Sequence, residues 1–213
     1  FGISPKEAEL MDPQQRLLLQ HAWNCIEDAG YSAASLVGSR TAIFAGTGSS
    51  GYSRRVDQSG LPLDGTTATG AVPSVGPNRV SFFLDLLGPS EPIETACSSA
   101  LVAIHRGVRA LERGDCDMAL VGGVNTLVGP EATISFSQAG MLSADGRCKT
   151  FSDRANGYVR GEGVGLLLLK RLGAAERDGD TIHAVIRGTA QNHGGRASSL
   201  TAPNPKSQAA VIV

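Results

Sequence analysis

The chain has 213 residues, of which 41% are hydrophobic and 18% charged, and its 19 Lys and Arg nearly balance 20 Asp and Glu. This near-neutral balance supplies no basic field for a phosphate backbone or an anionic membrane, so neither nucleic acid nor a membrane is expected as a partner. The apolar stretches are much shorter than the roughly 20 residues that span a bilayer, which indicates a soluble globular chain with a substantial core.

Two helices are predicted near the beginning of the chain. Ser4-Pro5-Lys6-Glu7 matches a capping box with Pro at the first helical position, and Asp12-Pro13-Gln14-Gln15 repeats the pattern. The second helix has apolar residues on one face at helical spacing and is predicted to end at Gly30. Residues 207–213 form an uncapped apolar run, so the chain is expected to be part of a larger folded unit.

Runs of strand length follow along the chain. They are predicted at residues 41–45, 91–96, 117–124, 164–172 and 182–191, and the last three have the continuous apolar pattern of strands covered on both faces. A helix is predicted from Cys97 to Arg113, ended by Gly114, and its small and apolar residues indicate burial. This alternation predicts a layered α/β fold.

Two long segments between these elements lack clear periodicity. Residues 46–76 are rich in Gly, Ser, Thr and Pro and are expected to be mostly loop. They begin with Gly46-Thr47-Gly48-Ser49-Ser50-Gly51, a match to GxGxxG that raises a competing hypothesis, a dinucleotide-binding enzyme. This hypothesis is disfavoured because Tyr52-Ser53-Arg54-Arg55 is predicted to lead into more loop and Asp64 closes no following strand. Residues 135–161 are too long for a simple connection and form a candidate functional loop.

Of the four cysteines, Cys97 has the position best suited to chemistry. It lies where the strand at residues 91–96 turns directly into a helix. Free N–H groups and the positive end of the helix dipole at such a point stabilise a thiolate and can bind the oxyanion of a tetrahedral intermediate. The site therefore suits acyl transfer. The alternative is that Cys97 is only a small, buried, inert residue.

The other cysteines and the histidines offer weaker candidates. Cys25 and Cys116 are expected to pack, and Cys148 has an electropositive setting between Arg147 and Lys149 but equally suits a plain loop role. The cysteines show no CxxC spacing and no signal peptide precedes them, which predicts neither a metal site nor disulfides and favours the cytoplasm.

A thiolate nucleophile usually has an imidazole partner, and four histidines are available. His105 lies eight residues along the helix from Cys97, about 12 Å of rise, and so cannot reach the sulfur. His21 and His183 lie in a predicted helix and strand, where packed or solvated roles are expected. His193 is in a loop, where it either reaches the site or stabilises its turn.

A set of short segments occurs in order along the chain. They are Phe1-Gly2-Ile3-Ser4-Pro5-Lys6-Glu7-Ala8, Met11-Asp12-Pro13-Gln14-Gln15-Arg16, Gly88-Pro89-Ser90, Glu94-Thr95-Ala96-Cys97-Ser98-Ser99, Gly146-Arg147-Cys148-Lys149-Thr150-Phe151, Gly157-Tyr158-Val159-Arg160-Gly161-Glu162-Gly163 and Leu200-Thr201-Ala202-Pro203-Asn204. Together they resemble, over the whole chain, the β-ketoacyl synthase (ketosynthase) domains of modular polyketide synthases. Asn192-His193-Gly194-Gly195-Arg196 and residues 73–85 are most similar to synthases served by a separate acyltransferase.

The resemblance implies a thiolase-like layered α/β/α/β/α fold, of which residues 1–213 form mainly the N-terminal half, without the first strand and most of the C-terminal half. The family's two catalytic histidines lie in HGT and NIGH contexts of the second half, with a nearby lysine, and neither context occurs here. The chain alone is therefore not expected to catalyse condensation, and one edge of its sheet is expected to expose apolar surface.

The resemblance also implies the reaction and the partners. Cys97 accepts an acyl chain from the phosphopantetheine arm of an acyl carrier protein, and a malonyl-type extender condenses with it decarboxylatively to give a β-ketoacyl thioester. No cofactor is bound directly and no metal is needed. Phe136 aligns with a residue that gates the acyl pocket, although a core role is equally open. The parent is expected to be a homodimer paired near the strand before Cys97, in contact with other synthase domains. A non-elongating acyl-transfer or scaffold module remains the alternative.

Overall fold

The structure is a computed structural model that describes residues 1–62 and 65–212. Within this part of the chain, four strands form one mixed sheet in the order β2-β1-β3-β4. The strands are β1 (Thr41–Gly46), β2 (Ser90–Ile93), β3 (Met118–Asn125) and β4 (Gly163–Lys170). β1 is parallel to both β2 and β3, whereas β4 is antiparallel to β3. The carboxyl ends of β1, β2 and β3 therefore meet at the same edge of the sheet.

Three of the helices, α2 (Pro13–Asp28), α5 (Val75–Leu84) and α6 (Ser99–Arg113), pack against this sheet. In chain order, the helices of the described residues are α1 (Pro5–Leu10), α2 (Pro13–Asp28), α3 (Tyr52–Gln58), α4 (Gly65–Ala71), α5 (Val75–Leu84), α6 (Ser99–Arg113), α7 (Glu131–Gln138), α8 (Leu172–Asp178) and α9 (Pro205–Ile212), with 3-10 turns at Ala33–Leu36 and Ala96–Ser98. None of the helices in residues 1–62 and 65–212 is both long and apolar enough to cross a bilayer.

The alternation of side chains along β1 divides the core into two layers. Ile43 and Ala45 point to the face covered by α2 and α5, where Leu18 and Val80 are fully buried. Ala42 and Phe44 point to the opposite face, which α6 covers with small and apolar residues. Because successive strand residues point to opposite faces, burial of all six β1 residues requires a helix on each side.

The first two helices begin where the capping pattern predicts. The Ser4 hydroxyl accepts a hydrogen bond from Glu7 N at 3.2 Å, and the Asp12 carboxylate accepts one from Gln14 N at 2.8 Å. α2 ends at Asp28, and Gly30 follows with a φ of +82°, a left-handed conformation that glycine adopts without strain.

The expectation that residues 46–76 are mostly loop is wrong, because they contain α3, α4 and the start of α5. α4 is held from outside by α2: the Gln15 amide donates to Thr69 O at 3.1 Å and to Gly70 O at 3.0 Å. Gly70 packs so closely that a Cβ there would lie 2.2 Å from Leu10 O. Contacts with segments distant in sequence therefore stabilise this helix. Local helix propensity does not include such contacts, so the sequence pattern did not predict it. Asp64 lies outside the described residues.

The strand predicted at residues 182–191 is absent from the structure, in which this segment has no regular structure and is largely exposed. Residues 182–186 run beside β4 across a groove of about 450 Å³ instead of pairing with it. The outer edge of β4 consequently has no partner strand in the described chain. The apolar sequence of residues 182–191 was not sufficient to make this segment pair as a strand. The exposed apolar surface expected at a sheet edge is thus observed.

Three further predictions need correction at their ends or faces. β2 ends at Ile93 and not at residue 96, because the chain turns into the 3-10 segment. β4 is covered unevenly: Leu166 and Leu168 pack against one core layer and Leu169 against the other, but Leu167 is 49% exposed. Leu172 already belongs to α8. α6 begins at Ser99 and leaves one face open, with Leu101 72% exposed. For β4 and α6, the sequence shows that the residues are apolar, but it does not show whether another part of the chain covers them.

Candidate active site

The cysteine singled out by the sequence lies at a sharp elbow between β2 and α6. After Ile93 the chain passes through Thr95 and a 3-10 turn, Ala96–Ser98, and then enters α6 at Ser99. Cys97 lies in the middle of this turn as a free, exposed thiol. The alternative that Cys97 is a buried residue is therefore wrong, while its reactivity stays a prediction.

The backbone of the elbow is held in a conformation that L-residues rarely adopt. Ala96, directly before Cys97, has a φ of +53°. This left-handed conformation is costly for a residue with a Cβ and persists only where its surroundings enforce it. It turns the chain sharply enough for the thiol to be displayed outside the sheet while the helix packs back onto it.

The Ser99 hydroxyl supplies that enforcement. Ser99 Oγ accepts a hydrogen bond from Thr95 N at 2.9 Å and donates one to Ala96 O at 2.7 Å. Ser98 Oγ is 2.9 Å from both Thr95 O and Thr95 Oγ1. The Cys97 N–H donates to no described residue, so this donor at the start of α6 is available to a ligand. Sequence reasoning missed both serines, although serine side chains commonly bond to backbone groups at helix starts.

Glycines let α6 approach the carboxyl ends of the strands. A Cβ on Gly46 would lie 2.8 Å from Ala100 N and 2.9 Å from Ser99 C, and a Cβ on Gly123 would lie 3.0 Å from the Ala100 side chain. Gly51, φ +85°, packs in the same way against Gly129. Gly46 and Gly51, two of the three glycines that suggested dinucleotide binding, thus serve close backbone packing, whereas a Cβ on Gly48 would meet nothing within 4 Å. A helix does open after Gly51, contrary to the prediction, but it spans only Tyr52–Gln58.

None of the four histidines contacts Cys97 in the part of the chain that is described. His105 Nδ1 lies 2.8 Å from Thr189 Oγ1, and His183 Nε2 lies 3.8 Å from Asp28. His193 Nδ1 accepts a hydrogen bond from Gly195 N at 2.9 Å and so stabilises its own turn. His21 is half-buried on α2. The chemistry available from these residues is therefore a nucleophile and a backbone donor, without an imidazole.

Two other cysteines are poorly suited to nucleophilic chemistry. Burial raises the pKa of Cys25 to about 11, and its Sγ lies 3.6 Å from Leu166 O. Burial also raises the pKa of the Cys116 thiol. Since the thiolate is the reactive form, both are expected to be inert. Cys148 is exposed, and its Sγ accepts a hydrogen bond from Val159 N at 3.3 Å, which ties it to its own loop.

Phe136 is half-buried on α7, where its ring contacts the side chains of Tyr158 and Arg160. Its ring centroid is 6.4 Å from that of Tyr158, and the Arg160 guanidinium lies over the ring at 5.4 Å. Arg160 also donates to Thr133 Oγ1 at 2.9 Å. The position of Phe136 therefore depends on the loop that follows α7, while its role in substrate binding stays a prediction.

The polar segment predicted as a functional loop is α7 followed by an internally bonded loop. Lys149 Nζ lies 2.8 Å from Asp145 and 2.6 Å from Asn156 Oδ1. The Lys149 ammonium and the Ser143 hydroxyl together lower the pKa of Asp145 to about 2. Leu142 and Tyr158 form a single β-bridge that closes the loop. These contacts hold the loop together, and its functional role stays a prediction.

Solved structures show the class of protein to which this fold and elbow belong. The ketosynthase from module 6 of the bacillaene synthase of Bacillus subtilis 168 superposes with a TM-score of 0.90 and 44% identity, over 99% of this chain and 36% of that one. The oxazolomycin ketosynthase domain OzmH KS7 of Streptomyces albus JA3453 matches with a TM-score of 0.90 and 42% identity, over 98% of this chain and 36% of that one. The fold is thus the thiolase-like α/β fold of ketosynthases.

Sequence comparisons identify the family. Residues 1–175 match the family model described as beta-ketoacyl synthase, N-terminal domain. The chain is 61% identical to polyketide synthase PksN of Bacillus subtilis over 212 residues, and 50% identical to polyketide synthase ThaG of Burkholderia thailandensis over 204 residues. These matches cover 100% and 96% of the chain, but the chain spans only 4% of each relative. The chain belongs to the β-ketoacyl synthase family.

Proposed function

We propose that this chain carries the acyl-accepting part of a polyketide synthase ketosynthase, with Cys97 as the nucleophile. The observation that supports this proposal is the elbow itself. An exposed free thiol lies at the carboxyl end of a sheet strand, directly before α6, beside an N–H that has no partner in the described chain. The same residues belong to a segment that resembles the family's active-site cysteine segment.

The first step is transfer of an acyl chain to Cys97. Its thiolate attacks the carbonyl carbon of an acyl thioester on the phosphopantetheine arm of an acyl carrier protein. The Cys97 N–H and the positive end of α6 stabilise the negative charge that develops on the carbonyl oxygen. The intermediate collapses as the carbon–sulfur bond to phosphopantetheine breaks, and the departing thiolate takes up a proton. Cys97 is left as an acyl thioester.

The second step is the decarboxylative condensation that defines an elongating ketosynthase. A malonyl-type extender loses CO₂, its enolate attacks the Cys97 thioester, and a β-ketoacyl product leaves while the Cys97 thiolate is regenerated. Because no described histidine contacts Cys97, we assign the stabilisation of the enolate to the histidine segments that the resemblance places in the second half. The chain alone is therefore expected to lack condensing activity.

The proposed partners follow from this chemistry and from the sheet. The substrates require an acyl carrier protein and the other synthase domains, and no directly bound cofactor or metal is needed. We also propose a homodimer that pairs near β2, which is supported by the position of β2 as an edge strand: among the described residues, its only neighbouring strand is β1. Four free cysteines fit a cytoplasmic protein. The resemblance of residues 192–196 supports a synthase served by a separate acyltransferase.

The test is covalent loading of the intact parent ketosynthase. An acyl thioester is added, and intact mass with peptide mapping locates the adduct. Cys97→Ala should abolish loading, whereas Cys148→Ala, which removes the other exposed thiol, should load normally. Loading that persists in Cys97→Ala would refute the assignment of the nucleophile.

A second addition separates the two modes of action. Malonyl carrier protein given to the loaded parent should release a β-ketoacyl product and restore the free thiol. An acyl adduct that is stable to this addition but can be transferred back to a carrier protein would instead identify a non-elongating acyl-transfer module. Absence of any loading would leave a scaffold role.

A further inference from the structure

One buried hydroxyl bonds to the backbone on both sides of the strained residue before Cys97. Ser99 is 8% exposed, and its Oγ accepts from Thr95 N at 2.9 Å while donating to Ala96 O at 2.7 Å. The Ser99 N–H also donates to Ala96 O. A single residue thus makes three hydrogen bonds to the two residues that precede the nucleophile.

The contact with Ala96 O has a consequence for Cys97. The Ala96 carbonyl and the Cys97 N–H belong to the same peptide group, which is planar and trans. In such a group the C=O and the N–H point in opposite directions. Two hydrogen bonds that fix the Ala96 carbonyl therefore fix the direction of the Cys97 N–H as well.

The surroundings keep the Ser99 side chain in place. The Ser99 Cβ and carbonyl carbon lie directly against Gly46, where an added Cβ would be 3.0 Å and 2.9 Å away. The Ser99 hydroxyl therefore cannot shift towards β1. If the hydroxyl is removed, rotation of the Ala96–Cys97 peptide would relieve the strained conformation of Ala96.

We propose that Ser99 is a positioning residue that aims the Cys97 N–H at the oxyanion formed during acylation. This inference rests on the proposed function, because it assumes that Cys97 accepts an acyl group. Ser99 does not touch the substrate. Its effect passes through the Ala96–Cys97 peptide, so it changes a step that builds negative charge on a carbonyl oxygen and spares a step that does not.

The neighbouring serine provides a matched control. Ser98 has the same side chain and also contacts Thr95, but its Oγ is exposed and makes no hydrogen bond to the Ala96–Cys97 peptide. Removal of this hydroxyl should leave the direction of the Cys97 N–H unchanged.

The experiment compares two reactions of Cys97 in the intact parent ketosynthase. Acylation by an acyl thioester passes through a tetrahedral oxyanion, whereas alkylation by iodoacetamide is a direct displacement at carbon without one. Ser99→Ala should slow acylation roughly 10- to 100-fold. The alkylation rate should stay within about twofold of the wild-type rate at each pH, because the reactivity of the Cys97 thiolate is retained. Ser98→Ala should change both rates little.

The ratio of the acylation rate to the alkylation rate separates a positioning effect from a folding defect. Partial unfolding lowers the concentration of competent sites for both reactions and leaves the ratio unchanged. If Ser99→Ala is insoluble, the pair Ser99→Thr and Ser99→Val decides, because the two side chains have the same shape and only threonine retains the hydroxyl. Threonine should then preserve a higher ratio than valine.

The outcomes separate this inference from the proposed function. Normal acylation of Ser99→Ala, equal loss of both reactions, or equal ratios for threonine and valine would overturn the positioning role while Cys97 remained the nucleophile. Failure of the wild-type parent to acylate Cys97 would refute the proposed function itself, and with it the assumption on which Ser99 depends.

Discussion

Replacement of Gly46 by alanine tests whether the packing under the elbow controls acylation. A Cβ at this position would lie 2.8 Å from Ala100 N and 2.9 Å from Ser99 C. Both are backbone atoms in the first turn of α6, so rotation of a side chain cannot relieve the contact. The turn that carries the oxyanion donor must move instead.

The size of that movement sets the expected effect. Relief from 2.8 Å to the 3.4 Å at which ordinary contact begins requires a shift of about 0.6 Å. Overpacking of this kind costs about 2 kcal/mol. Because this chain covers only 36% of a solved ketosynthase, the intact parent has a larger unfolding entropy than this chain alone, and the cost lowers its Tm by roughly 2 °C. Because misplacement of a reactive group by about 1 Å can cost roughly 100-fold in rate, acylation of Cys97 is expected to slow about tenfold.

The assay combines thermal unfolding with the rate of covalent loading, both in the intact parent ketosynthase. Gly48→Ala is the control, since a Cβ there meets nothing within 4 Å and no left-handed φ is involved. This control should change Tm by no more than about 0.5 °C and should load at the wild-type rate.

Two results would refute the reasoning. If Gly46→Ala unfolds and loads like Gly48→Ala, the close approach of β1 to α6 does not restrain the elbow. If Gly46→Ala lowers Tm but loads at the wild-type rate, the glycine serves packing alone and the position of the helix start does not limit acylation.

Three further changes test other contacts. Gln15→Ala should destabilise the fold by about 1–3 kcal/mol, because Thr69 O loses its donor while Gly70 O keeps the hydrogen bond from Asp12 N; urea unfolding should show no such loss for exposed Gln20→Ala. Asp180→Asn should lower Tm at pH 7, because hydrogen bonds from Lys170 and Tyr31 hold the Asp180 pKa below its ordinary 3.8. The Tm difference between variant and wild type should shrink as the pH falls below 3.8, and a constant difference would contradict this explanation. Phe136→Ala should raise loading of branched relative to acetyl thioesters, and an unchanged ratio in a competition assay would argue for a core role.

Local rules account for the parts of the fold that the sequence determined. The caps at Ser4 and Asp12 act within three residues, so α1 and α2 were predictable from their own segments. Strand β1 and the apolar part of β3 were recognisable because burial on both faces leaves a continuous apolar run. The position of Cys97 between a strand and a helix could likewise be read from the chain, and with it the candidate chemistry.

Only the tertiary structure decided which of these segments find partners. α4 forms because Gln15, more than fifty residues away, supplies hydrogen bonds to its carbonyls. Residues 182–191 form no strand although residues 182–186 lie beside the outer edge of β4, because a groove separates them from that strand and no ladder forms. Likewise, the role of Gly46 became visible only when β1 met α6, because close backbone approach is a property of two segments and is encoded in neither one alone.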